Sequence, residues 1–119
     1  MRYVDGYVVP VPKKKLGEYR RMVAKAKRLW REHGALDYVE AAADDVKRGK
    51  RTSFPRSVKL KGNETVVFAY VVFKSRAHRD SVNKKFMNDP RLKVMFDMNN
   101  LPFDPARMFW GGFKMMVGK

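Results

Sequence analysis

The sequence predicts an α+β fold, a four-stranded sheet with two main helices and one short helix in the order β-α-β-β-α-β. Three observations predict it. The segment Thr65-Val-Val-Phe-Ala-Tyr-Val-Val-Phe73 is apolar at every position after the threonine. Strand side chains alternate, so Val67, Ala69, Val71 and Phe73 face one way, and Val66, Phe68, Tyr70 and Val72 the other. A strand with one wet face would alternate apolar and polar residues, so this one is predicted to be covered on both sides. Second, Leu16, Tyr19, Val23, Ala26, Trp30 and His33 recur at steps of three and four, the stripe of an amphipathic helix. Third, helix-boundary residues fall where the pattern changes: Gly34 after the stripe, Ser75 before a second helix, and Asp89-Pro90 before a short third one. Two helices cover one face of a small sheet. A second copy of the sheet is the simplest cover for the other face, which predicts a homodimer with an enclosed space between sheets.

The elements follow in order. Residues 2–11 read as a strand with Tyr3, Tyr7, Val9 and Val11 on one side and Val4 and Val8 on the other, Asp5 lying in the first face. Pro10 and Pro12 are expected to end its pairing, since proline donates no ladder hydrogen bond. Residues 13–33 form the striped helix, its other face carrying Lys14, Arg21, Lys25, Arg28 and Glu32. A second strand covers 36–43 with Tyr38, Val39 and a central Glu40. Residues 44–63, with Gly49, Pro55 and Gly62, read as a long excursion with a short strand near Ser57–Leu60. The third strand spans about 65–74. A helix over 76–88 turns Val82 and Phe86 inward, a short helix presents Leu92, Met95 and Phe96, and a loop from Asn99 to Pro105 leads to a last strand, Arg107 to Val117. This order is the ferredoxin-like signature.

At 119 residues a single domain over 1–119 is expected. Hydrophobic content of 45% excludes a disordered chain, and no apolar run is long enough for a membrane span. Zero cysteines remove disulfides and thiolate chemistry and fit a cytoplasmic location. The charge is unusual: 27 Lys+Arg against 12 Asp+Glu give +15. Such a field makes polyanions adhere without specifying a fold.

Several residues are candidates for chemistry. Asp5 and Glu40 are carboxylates at strand centres among apolar neighbours. Each either points outward or pairs with an arginine, or else lines a pocket with a raised pKa and acts as a base. His33 closes the helical stripe, and His78 opens the second helix beside Arg79; neither has metal-site spacing, and no metal or other cofactor is expected. Trp30, His33, Tyr38, Arg79 and Trp110 are the predicted pocket lining, with Asp5, Glu40 and His78 the catalytic candidates. Gly111-Gly112 sits inside an apolar strand and leads into no helix, so it reads as a bulge or close approach rather than a phosphate loop. Lys47, Arg48, Lys50, Arg51, Arg56, Lys59 and Lys61 put seven positive and no negative charges between 47 and 61. They form either a solvated loop or a polyanion contact, with Phe54 the lone aromatic available for base stacking.

The motifs Tyr3-Val-Asp-Gly-Tyr-Val-Val-Pro-Val-Pro, Trp30-Arg-Glu-His-Gly-Ala-Leu, Lys74-Ser-Arg-Ala-His-Arg-Asp, Asp89-Pro-Arg, Leu101-Pro-Phe-Asp and Arg107-Met-Phe-Trp-Gly-Gly-Phe together resemble the YbaA-like family. The resemblance spans essentially the whole chain and implies the dimeric α+β barrel superfamily. That family carries no established activity to transfer, while the wider superfamily includes cofactor-free monooxygenases, isomerases, haem enzymes and ligand-sensing modules. The chain departs from the family in its lysine and arginine load and in Leu101 where methionine is usual. The leading functional expectation is a small-molecule-binding protein or cofactor-free enzyme. The alternatives are a non-specific polyanion binder, or a chain whose high charge is adapted or engineered with no added activity.

Overall fold

The computed structural model describes residues 1–118. The strands are β1 (Tyr3–Pro12), β2 (Asp37–Ala42), β3 (Glu64–Phe73) and β4 (Phe109–Lys114); the helices are α1 (Leu16–Glu32), α2 (Phe54–Ser57), α3 (Arg76–Met87) and α4 (Arg91–Met95). All pairings are antiparallel, in the order β2-β3-β1-β4, and the fold is ferredoxin-like α+β.

Local chemistry sets the boundaries. The α1 stripe buries Tyr19, Val23, Ala26, Leu29 and Trp30. It ends in a Schellman turn, with Gly34 N–H donating to Arg31 O and Ala35 N–H to Trp30 O. Gly34 has φ of +111°, a conformation glycine takes without strain. Ser75 Oγ accepts from His78 N at 3.1 Å and starts α3. Asp89 Oδ1 accepts from Arg91 N at 2.9 Å at the start of α4.

The helix-side core gathers Tyr3, Val9 and Val11 of β1, Val67, Val71 and Phe73 of β3, and the inward faces of α1 and α3. Trp30 is its hub, stacked on Phe86 with centroids 3.8 Å apart and edge-on to Phe73 at 6.2 Å. On the opposite sheet face Phe68, Phe109 and Phe113 are exposed.

Three local expectations are corrected. β1 continues through Pro10 and Pro12, which pair with Val66 and Glu64. An antiparallel residue points its N and O to one edge. Pro10 O accepts from Asp104 N at 3.4 Å, so Pro10 turns its missing N–H away from β3 and breaks no β1–β3 bond. The strand expected near Ser57–Leu60 is instead the single helical turn α2. Ser53 Oγ accepts from Arg56 N, and Leu60 N–H turns back to Pro55 O. The last strand is also shorter than expected, Phe109–Lys114 rather than Arg107–Val117. Arg107 lies outside it, its guanidinium donating to Glu64, Asp104 and the carbonyls of Val58 and Lys59.

Gly112 is a close-approach glycine. A Cβ built there would stand 2.4 Å from Tyr3 Oη and 2.7 Å from a Tyr3 ring carbon. Tyr3 is buried, and its ring carries the Arg79 guanidinium at 4.9 Å, so it has little room to yield. Gly112→Ala is expected to destabilise by about 1–3 kcal/mol through overpacking. Thermal melts of a double-mutant cycle check this: the cost should largely vanish in a Tyr3→Leu background, and an unchanged cost there would put the strain elsewhere.

Candidate functional site

Register places the site. Residues opposite one another across antiparallel strands share a face. Glu40 of β2 pairs with Ala69 of β3, Ala69 with Tyr7 of β1, and Tyr7 with Trp110 of β4, forming one row across the sheet beneath the helices. The row beside it is Tyr38, Val71, Asp5 and Gly112. Ala69 keeps the centre of the first row low between the larger side chains on either side.

Above this floor lies a cavity of about 500 Å³. The sheet contributes Tyr7, Val9, Tyr38, Glu40 and Trp110, α1 contributes Tyr19, Val23 and Trp30, α3 contributes Asn83 and Phe86, and the segment after α4 adds Phe96, Phe103 and Met108. The cavity lies between the sheet and its own helices, on the face opposite the exposed Phe68, Phe109 and Phe113. The floor is low at its centre because Ala69 carries only a methyl group between Glu40 and Tyr7.

One carboxylate stands in this apolar space. Glu40 Oε1 accepts from Tyr19 Oη at 2.7 Å, and Glu40 Oε2 accepts from Tyr38 Oη. Burial pushes the Glu40 carboxyl above its ordinary range, and the hydrogen bonds from Tyr38 and Tyr19 offset only part of that shift. Burial and the Glu40 charge raise both phenols, so they remain donors at neutral pH. Tyr7, stacked on Trp110 with centroids 5.9 Å apart, is raised by burial and by the charge of Asp5.

The other sequence candidates are distributed as follows. Trp30, Tyr38 and Trp110 line the cavity with Glu40, whereas His33, His78, Arg79 and Asp5 are absent from its walls. His33 Nε2 meets Asp89 at 2.8 Å and ties the end of α1 to the start of α4. His78 Nδ1 accepts from Lys74 N at 3.0 Å; burial, with Lys74 and Lys85 nearby, lowers its pKa. Asp5 is fully buried and accepts from Arg79 Nη1 at 2.7 Å, while Arg79 Nε donates to Asp80. Burial raises the Asp5 carboxyl more than the Arg79 charge lowers it. Among the described residues, no group of three His, Asp or Glu stands where it could hold a metal ion. In the basic segment Lys47, Arg48, Lys50, Arg51, Lys59 and Lys61 are exposed, while Arg56 donates to the carbonyls of Arg48 and Gly49. Phe54 is edge-on to Phe68 at 6.0 Å.

Sequence reasoning missed three site residues. Tyr7 and Tyr19 read as core members of their stripes, and Asn83, between the inward Val82 and Phe86, was assigned no role. The available signal was two tyrosines on inward faces, each needing a partner for its hydroxyl, with only two carboxylates at strand centres to supply one.

The model of the family described as "Protein of unknown function (DUF1428)" matches residues 2–105. The chain is also 47% identical over 117 residues to the uncharacterized protein YbaA of Escherichia coli K12, covering 98% of both chains. The chain belongs to the DUF1428 family. Among solved structures, this DUF1428 member resembles SnoaB, a cofactor-independent oxygenase from Streptomyces nogalater, in its N63A form. The TM-score is 0.62 and the identity 11%, covering 98% of this chain and 95% of that one. It also resembles a dimeric ferredoxin-like protein from an uncultured marine organism, with a TM-score of 0.52 and 10% identity over 98% and 94% of the two chains. At such identities the likeness shows the fold alone. Among the described residues of this DUF1428 chain, no helix is long and apolar enough to cross a membrane.

Proposed function

We propose that the cavity binds a small, flat organic molecule and that Glu40 serves as hydrogen-bond acceptor and general base, with no cofactor taking part. The observation that carries this reading is a buried carboxylate clamped by two phenols in an otherwise apolar cavity of about 500 Å³. That volume falls within the usual range for small-molecule sites, and Trp30, Phe86 and Trp110 supply aromatic walls. A carboxylate with a raised pKa is a stronger base than one in water, and the phenols fix its position. Proton abstraction moves the proton from the substrate to Glu40 and leaves the electron pair on the substrate as an enolate or phenolate. A fold shared with a cofactor-independent oxygenase supports this in kind, because such chemistry asks the protein for a dry cavity and a placed base.

The test is deuterium exchange at the acidic C–H of 2-tetralone in D2O. Wild type is expected to accelerate exchange, and Glu40→Gln to lower the enzymatic rate at least roughly 100-fold. The rate should rise with pH as Glu40 deprotonates above the ordinary carboxylate range, where burial holds it, then level off. Failure of wild type to exceed buffer overturns the base and leaves binding alone.

Stability gives an independent reading of the same group. A carboxyl whose pKa is raised on folding binds more protons in the folded state, so it costs stability as pH climbs from the unfolded value through the folded one. Glu40→Gln is therefore expected to melt at or above the wild-type temperature at pH 8, with that advantage shrinking at pH 4.

We further infer that two copies pair through the open sheet face, which carries the exposed Phe68, Phe109 and Phe113. Contiguous exposed apolar area of this kind is uncommon on monomers, and a ferredoxin-like structural neighbour is itself dimeric.

A further inference from the structure

Three phenols stand at this cavity, and Glu40 uses two of them. Tyr19 and Tyr38 are buried and give their hydroxyls to the carboxylate. The third, Tyr7, is half-buried, and among the described residues its hydroxyl has no hydrogen-bond partner. Nor is that oxygen one of the polar atoms sealed in the interior without a partner, so it is open to the space its ring lines. A hydroxyl on an apolar wall makes its hydrogen bond with whatever occupies the cavity.

Register fixes its relation to the base. Glu40, Ala69 and Tyr7 lie opposite one another on β2, β3 and β1 and share the helix-facing side of the sheet. Two strand spacings put the backbones of Glu40 and Tyr7 roughly 10 Å apart. The methyl of Ala69 leaves the gap between their side chains open. A molecule resting over Ala69 therefore meets a carboxylate from one side and a phenol from the other. The Tyr7 ring is stacked on Trp110, its neighbour in the row, which limits where its hydroxyl can go. Burial, then Asp5 and Glu40, raise the Tyr7 pKa against the opposing Arg79 charge, so the phenol keeps its proton at neutral pH.

We propose that Tyr7 is a second catalytic residue, whose O–H donates to the ligand oxygen that gains negative charge when Glu40 removes a proton, and that the substrate is a ketone with its acidic C–H beside the carbonyl. This deepens the reading of Glu40 as base and rests on it. Glu40 takes the proton, the C–H electron pair forms the new C=C bond, and the C=O π pair moves onto oxygen. The enolate oxygen accepts from Tyr7, which retains its own proton. Return of deuterium from Glu40 to the carbon restores the ketone and completes the exchange. The hydrogen bond strengthens as the charge develops, so it acts on the barrier more than on binding.

Exchange of 2-tetralone in D2O, measured across pH on wild type and Tyr7→Phe, tests this. The variant keeps the ring that stacks on Trp110. It is expected to lower kcat roughly 100- to 1000-fold with little change in KM. The pH at which the rate levels off, set by Glu40, should stay in place, whereas a structural disturbance of the clamp would move it. The wild type supplies a second readout: the carbonyl infrared stretch of bound 2-tetralone should lie below its value in hexane, and return toward that value in Tyr7→Phe. A variant rate within about threefold of wild type, a loss carried by KM, or a shifted pH profile would overturn the role of Tyr7 and leave Glu40 standing. A wild-type stretch at the hexane value would do the same. Wild type no faster than buffer would overturn the base itself, and the role of Tyr7 with it.

Discussion

Arg79→Met is expected to destabilise the protein by about 3–5 kcal/mol, the cost of leaving a buried carboxylate without its cation. Asp5 has no exposed surface, and Arg79 Nη1, its one cationic partner, donates to it at 2.7 Å. Met replaces the length of the side chain without its charge, so most of the loss comes from Asp5 rather than from packing. At this chain length the loss lowers the melting temperature by roughly 10–25 °C. The pH dependence identifies the cause. Burial already holds the Asp5 carboxyl above its ordinary range, so acid readily neutralises it in the folded state. A neutral Asp5 needs no counter-charge, and the Arg79→Met penalty should shrink as pH falls toward 4. Asp5→Leu combined with Arg79→Met should recover most of the stability, since apolar groups of similar volume replace buried ion pairs at little cost. A pH-independent penalty, or a double variant as unstable as the single one, would show that the pair is not what Arg79 contributes.

Wild type is expected to run at twice the chain mass by light scattering at micromolar concentration, and Phe68→Glu with Phe113→Glu to convert it to monomer. Both phenylalanines stand on the open sheet face, 44% and 62% exposed. In a two-fold interface every substitution occurs twice. Burying a phenylalanine is worth about 1.5–3 kcal/mol, and a glutamate placed there adds a desolvation cost. Even one such change, doubled by symmetry, weakens association by more than roughly 100-fold. Neither residue lines the cavity, so 2-tetralone exchange should survive in the monomer. A folded wild-type monomer, or a variant still dimeric, would sink the pairing.

Much of the fold was legible because its causes are local. The two apolar faces of Val66–Phe73, the stripe from Leu16 to Trp30, the glycine after α1 and the serine before α3 each act within a few residues, and each appears where the pattern placed it. The errors were local rules overridden by neighbours. Pro10 stays in β1 because its missing N–H faces Asp104 and not β3. Residues 57–60 turn instead of extending because Ser53 caps α2 and Pro55 occupies its first turn.

For the site, the sequence by itself determined the ingredients: carboxylates at two strand centres, aromatic residues on the inward stripes, and no cysteine. It also determined that β3 carries apolar side chains on both faces. Only the tertiary structure decided which carboxylate the cavity receives. Strand register sets Glu40 level with Tyr7 and Trp110, and helix placement lowers Tyr19 onto its Oε1; both relations join residues far apart in the chain. Asp5 has the same pattern of apolar neighbours, yet β1 lies beneath α3, and Arg79 reaches it before any cavity does. Alternation tells which face a side chain takes, while the depth of space above that face depends on what packs there, and that is a property of the assembled layers alone.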